Sequence, residues 1–198
     1  MRSTTGKLGL DLLVGLSIFL FSFFMISNFI VGLFGEVRSE ISLSSEAYKV
    51  SVILAEIPGK WSNGTANGTD WENYWSERNV IFLPGLASKP CELSISKVVA
   101  FKKVVESDYD RIKTFLGLKT PDADYDFHVS LETINSTPFQ RELLLNTSGF
   151  PILDVGKSPS TFQVARYERL VWLDNCSVVG NPTVVAGRCV AKLVVVVW

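Results

Sequence analysis

Residues 12–34 run for 23 positions without a charge, and six of the thirteen phenylalanines lie between Phe19 and Phe34. A helix rising ~1.5 Å per residue over this length spans the ~30 Å hydrocarbon layer of a bilayer. A cleavable secretory signal has a core of ~7–15 apolar residues and a small-residue cut site after it, and neither is present. An amphipathic core helix needs a polar stripe, whereas Ser17, Ser22, Ser27 and Asn28 are scattered. The run therefore reads as a membrane helix. Arg2 and Lys7 precede it, while Glu36, Arg38 and Glu40 follow with a net negative balance, so the positive-inside rule puts the carboxyl side outside the cell.

That one segment accounts for a mean hydropathy of +0.25 in a chain with a full share of charge. Residues 1–35 hold only Arg2, Lys7 and Asp11, so 36 of the 39 charges fall in the remaining 163 residues, which read as an ordinary water-facing domain. The net charge of −1 leaves no surplus for gripping a phosphate backbone, which argues against a nucleic-acid partner. Three cysteines and one histidine make most metal sites and catalytic triads arithmetically difficult. Neither a metal nor another cofactor is expected.

Helical character continues past the apolar run. Leu43, Ala47, Val50, Leu54 and Ile57 recur at spacings of four, three, four and three, one face of an amphipathic helix that Pro58-Gly59 then stops. A single helix over 7–57 would be ~75 Å long. The expected organisation is a leader over 1–6, a transmembrane helix over 7–35, an amphipathic continuation over 36–57 and an extracellular α+β domain over 58–198.

The acid at Asp11, one position before the apolar run and preceded by Gly6-Lys7-Leu8-Gly9-Leu10, resembles the class III, type IV pilin-like signal of archaea. In that family a short basic leader ends in Gly, a prepilin peptidase cuts after it, and an acid stands fifth in the mature chain. A cut between Gly6 and Lys7 makes Asp11 fifth. Here Thr5 rather than Lys or Arg precedes the Gly, and Lys7 is an unusual first residue. The resemblance extends in outline to small uncharacterised pilin-like proteins of haloarchaea and methanogens, through Leu116-Gly117-Leu118, an alternating strand, 166–173 and a Val-rich end at Trp198. It implies a pilin-like fold, a membrane location, processing by prepilin peptidase, and assembly with other pilin-like subunits through the N-terminal helix. Asp11 would meet the new amino terminus of a neighbouring subunit, an ammonium offsetting a carboxylate at the lipid edge. Gly9 and Gly15 offer flat surfaces for close approach.

Residues 58–90, with Asn-Gly-Thr repeated at 63–65 and 67–69, read as a surface excursion, and Trp61, Trp71, Tyr74 and Trp75 as cover for the edge of a small core. Two short helices are expected over 96–103 and 108–116, stopped by Gly117. Strict alternation over 125–132 predicts a strand with Tyr125, Phe127, Val129 and Leu131 inward, and with His128 on the solvent side in neither a catalytic nor a metal role. Further strands are expected over 141–145, 161–173 and 189–198. In the second, Arg169 interrupts an otherwise apolar face; in the last, the continuous apolar run 193–198 reads as central or covered on both faces. The layer solution is the helical stripe of 43–57 laid across a small antiparallel sheet.

Cys176 and Cys189 flank the loop between the last two strands, on the side of the membrane where disulfides persist, and bridging them would contribute ~2–3 kcal/mol. Cys91 is left over and could compete for either partner. Asn63, Asn67, Asn135, Asn146 and Asn175 begin Asn-x-Ser/Thr sequons, five of nine asparagines, an excess that suits an exported surface carrying glycan. No Gly-rich phosphate loop, nucleophile elbow or HExxH occurs, so an enzyme is not expected. Two alternatives to a pilin-like subunit stay open. One is a non-polymerising single-pass surface glycoprotein. The other is an envelope carbohydrate-binding domain or hydrolase built on Trp61, Trp71 and Trp75 with Asp70 and Glu72.

Overall fold

The computed structural model describes residues 5–77, 80–121, 123–160 and 163–198, with the side chains of 5–11 and 31–41 outside the description. The chain divides into two compact units, Met1–Ser42 and Leu43–Trp198. It is an α+β protein whose elements run α1 (Thr5–Glu56), β1 (Lys60–Ser62), β2 (Asn67–Gly68), β3 (Ile81–Leu83), β4 (Ala87–Lys89), β5 (Glu92–Leu93), α2 (Ile95–Ser107), α3 (Tyr109–Phe115), β6 (Phe127–Glu132), β7 (Asp154–Gly156), β8 (Ala165–Leu173), β9 (Thr183–Val185) and β10 (Arg188–Val197).

In the first unit, Leu12–Ile30 has a mean hydropathy of 2.1 and none of it is buried. It is long and apolar enough to cross a membrane, and it is not a helix buried in the core of this chain. Two of its polar residues turn inward on the helix: Ser17 Oγ donates to Leu13 O at 2.8 Å and Asn28 Nδ2 to Phe24 O at 2.9 Å. These bonds lower the cost of placing both groups in lipid.

The second unit, the head domain, contains the rest of α1. Leu43, Ala47, Val50 and Leu54 of the predicted stripe are buried in its core, while Ile57, its last member, lies just past the helix and is half-buried. The carbonyls that a helix leaves unpaired at its C-terminus are taken up from one later segment: Leu86 N donates to Leu54 O at 3.0 Å and Cys91 N to Ala55 O at 2.8 Å. The helix stops at Pro58-Gly59, where Gly59 has a φ of +75° and a Cβ would strike Trp71 and Leu83 O.

Two sheets complete the domain. The larger is ordered β4-β5-β8-β10-β6-β7, with β9 pairing β10. It is antiparallel except for the β5–β8 pair, which corrects the purely antiparallel expectation. The central position of β10 between β8 and β6 matches its continuous apolar sequence. Arg169, the exception on the core face of β8, reaches α1: its Nε donates to Ser51 Oγ at 3.0 Å, it pairs with Glu56, and its guanidinium lies 5.4 Å from the Tyr48 ring. On α2 the buried Val98, Phe101 and Val105 follow a helical three-four spacing. Asp108 caps α3 by accepting from Arg111 N at 3.1 Å.

Two other expectations fail. The stretch 58–90 is not a surface excursion: β1, β2 and β3 form a three-stranded sheet, and Trp71, Val80, Phe82 and Leu86 are fully buried. Trp71 stacks on Phe82 at 5.5 Å and Trp61 on Tyr74 at 3.9 Å. The stretch 141–145 makes only isolated bridges, Glu132↔Leu143 and Leu145↔Pro151; Arg141 joins a polar cluster described below and Leu144 enters the core. The strand expected over 161–173 begins at Ala165; residues 161 and 162 lie outside the described residues.

Candidate functional site

The backbone of Gly6, Lys7 and Asp11 belongs to α1, and their side chains lie outside the described residues, as does the structure of 1–4. Cys176 and Cys189 are bonded, with Cα atoms 5.6 Å apart, and Cys91 is free and half-buried. Asn63, Asn67, Asn135 and Asn175 are exposed and Asn146 is half-buried. The carboxamide oxygens of three of these are engaged in local turns, Asn63 with Thr65 and Ala66, Asn146 with Ser148 and Phe150, and Asn175 with Ser177. Of the three tryptophans, Trp75 is half-buried against the core. Trp71 is 0% exposed and donates to Gly85 O, and Trp61 donates to Asp70 Oδ1 at 2.8 Å.

The densest chemistry sits on the sheet face opposite the helices, where sequence alternation placed solvent. Register puts His128, Ser130 and Glu132 of β6 on one face with Val194, Val196 and Lys192 of β10 and with Arg166 and Glu168 of β8. The segment 133–142 folds back over this face and contributes Ser136 and Arg141. Glu132 is 0% exposed and receives four hydrogen bonds. Its Oε1 accepts from Ser130 Oγ at 3.0 Å and Arg141 Nε at 2.9 Å; its Oε2 accepts from Ser136 Oγ at 2.5 Å and Arg166 Nη2 at 2.9 Å. Both oxygens are thus saturated, which suits a structural anchor and leaves no lone pair for a general base.

The network extends both ways. Arg141 Nη2 donates to Asp154 Oδ1 at 2.5 Å, which also meets His128 Nε2 at 3.1 Å; Arg166 Nε donates to Glu168 Oε1 at 2.8 Å, and Lys192 lies 3.3 Å from that residue's Oε2. Three acids, Glu132, Asp154 and Glu168, balance the cations Arg141, Arg166 and Lys192, so with the fourth base, His128, neutral the cluster carries no net charge. The groove over it holds about 190 Å³, below the ~300–1,000 Å³ usual for ligand sites. His128, expected on the solvent side, is largely covered and partnered by Asp154 from β7.

Burial pushes the His128 imidazole below its ordinary value and the charge of Arg141 adds to this, against the opposing pull of Asp154. Burial works against the charge on Glu132, yet the bonds from Ser136, Arg141 and Arg166 outweigh it and hold the carboxyl below its ordinary value. Both groups therefore bind protons less readily folded than unfolded, and stability falls as pH falls. The loss begins below about 6.5 through His128 and steepens below about 4.5 through Glu132. The urea midpoint of the head domain should drop between pH 7 and pH 5, and His128→Gln should remove that part of the slope. A midpoint flat across this interval would contradict the assignment.

A second buried charge was illegible in sequence. Lys97 of α2 donates to Pro58 O at 2.5 Å, Thr69 O at 2.9 Å and Ala87 O at 3.4 Å, tying the helix to two loops and to the start of β4. Burial pushes its ammonium below the ordinary value, against the pull of Glu72 and Asp70. The one available signal is its place four residues before Phe101 on the apolar stripe of α2. Among the described residues no group of three or more His, Cys, Asp and Glu could hold a metal.

An uncharacterized protein of Archaeoglobus fulgidus is 34% identical to this chain over 201 residues, covering 97% of each. No family model matches the chain, and no solved structure matches it.

Proposed function

We propose that this chain, which belongs to the same family as the Archaeoglobus fulgidus protein, is a membrane-anchored extracellular subunit of type IV pilin-like character, a minor or accessory component of an archaeal pilus-like assembly. The observation that carries the reading is the division of labour along α1. Its lipid-length apolar band, Leu12–Ile30, is wholly unburied, and its C-terminal stripe from Leu43 to Leu54 is core to an α+β head domain. That arrangement suits a helix that can exchange lipid for copies of itself while its far end stays committed to the head. The Cys176–Cys189 bridge fits a head outside the cell. The match to the archaeal relative runs through helix and head alike.

In this reading prepilin peptidase cuts between Gly6 and Lys7, Asp11 meets the freed amino terminus of a neighbouring subunit, and Gly15, with nothing within 4 Å of its Cβ position, admits a close helix partner. Glycan is carried by sequons on the head. The role is one of structure and assembly, without catalysis or cofactor. Thr5 before Gly6 favours one second reading, an uncut single-pass surface glycoprotein. Amino-terminal mass spectrometry of the envelope-fraction protein, with and without prepilin peptidase, separates the two. The expected chain begins at Lys7 when the peptidase is present; an intact 1–6 leader in both samples removes the pilin reading and leaves the anchor.

A further inference from the structure

The small sheet carries an unused surface. Register aligns Asn67 of β2, Ser62 of β1 and Ile81 of β3 in one row, and directly paired residues of an antiparallel sheet share a face. Trp61 and Phe82, one position along, form the buried face, so the row of Asn67, Ser62 and Ile81 is the outward one. Ile81 is 72% exposed there, a β-branched residue in an outward strand position. The groove along this sheet holds about 620 Å³, with Ile81, Leu83 and Phe115 as apolar lining and Lys60, Ser62 and Thr69 adding polar groups. An apolar floor with a few polar groups at its rim is the composition of a ligand site.

Asn67 stands at one end of that row and is itself the acceptor of an Asn-Gly-Thr sequon. Unlike Asn63, Asn146 and Asn175, its side chain makes no hydrogen bond among the described residues, and β2 is the edge of its sheet, open to a modifying enzyme. Strands lie ~4.8 Å apart, so Ile81 is ~10 Å from Asn67 across the small side chain of Ser62. A sugar chain leaving Asn67 along the face passes over Ser62 and reaches Ile81.

We infer that Asn67 carries an N-linked glycan whose first sugars lie in this groove, with their C–H faces on Ile81 and Leu83 and their hydroxyls toward the polar rim. The inference rests on the extracellular placement of the head proposed above. In the transfer, the Asn67 amide nitrogen attacks C1 of a lipid-phosphate-linked oligosaccharide. The N–C1 bond forms, the C1–O bond to phosphate breaks, the lipid phosphate leaves with the electron pair, and the amide proton passes to a base of the transferase. Glycan then covers the exposed apolar face of the small sheet, as a protein partner would otherwise have to.

The test uses the full-length chain, extracted with detergent from the membranes of an archaeal host. Fragmentation of the tryptic peptide 61–78 should assign sugar to Asn67. Thr69→Ala, which destroys the sequon and keeps Asn67, should raise amide exchange over 80–84 several-fold and lower Tm by a few degrees. Asn67→Gln should do the same. Ile81→Ser should lower Tm in the glycosylated chain and have little further effect in the Thr69→Ala background, because the two changes remove one contact. A bare Asn67 overturns the inference, as does exchange over 80–84 that Thr69→Ala leaves unchanged. Leader cleavage and membrane extraction report on the underlying placement separately, so a bare Asn67 on a cleaved, membrane-extracted chain overturns the inference alone.

Discussion

Glu132→Ala should destabilise the head domain by about 3–5 kcal/mol, the range for removing one partner of a buried ion pair. The substitution strands four donors at once, those of Ser130, Ser136, Arg141 and Arg166. It also loosens the 133–142 segment, because the Ser136 hydroxyl accepts from Glu142 N at 3.1 Å and loses its own acceptor. The two guanidiniums are 38% and 22% exposed and can recover water in part, which places the loss toward the lower end of the range. Glu132→Gln keeps the shape and two acceptor sites and should cost about half as much. Urea unfolding of the detergent-solubilised chain, followed by tryptophan fluorescence, measures both; a loss under about 1 kcal/mol for Glu132→Ala would show that the network is not an anchor.

Glu132 also marks the limit of what period alone can say. Alternation over 125–132 located a strand, which begins at Phe127, and three of its four core-facing residues, Phe127, Val129 and Leu131, are fully buried, while Tyr125 precedes the strand and is half-buried. It then assigned the other face to water by default, which failed. The correction was latent in the next strand: the continuous apolar run 193–198 requires cover on both faces of β10, and Ser130 and Glu132 share the outer face with Val194 and Val196. What sequence could not supply was the identity of the cover, because Arg141, Asp154 and Arg166 come from three separate segments. The aromatic segment 58–90 misled for a related reason. Its Asn-Gly-Thr repeats signal turns, yet the same stretch places Trp71 and Phe82 in the core. Gly68 there answers to packing as well, since a Cβ would strike Trp61 and Asp70. Local, periodic features such as α1, the 43–54 stripe and the neighbouring cysteines were legible, while long-range polar satisfaction was not.

Two truncations should bracket the boundary between anchor and head with opposite results. A chain beginning at Ser42 loses the unburied apolar band and keeps every core contact of Leu43, Ala47, Val50 and Leu54; it should be water-soluble, with native near-ultraviolet circular dichroism. A chain beginning at Ile57 should not fold. Burial of Leu43, Val50 and Leu54 contributes ~1.5–3 kcal/mol each, a sum comparable to the ~5–15 kcal/mol by which whole domains are stable. The same cut removes the carbonyl acceptors of Leu86 and Cys91 and leaves Arg169 on the core face of β8 without Ser51 or Glu56. An unpartnered guanidinium there adds its own desolvation penalty to the lost apolar contacts. Limited proteolysis and circular dichroism read both chains. A folded 57–198 would mean that the helix is an appendage, and the case for a head committed to the far end of its own anchor would fall with it.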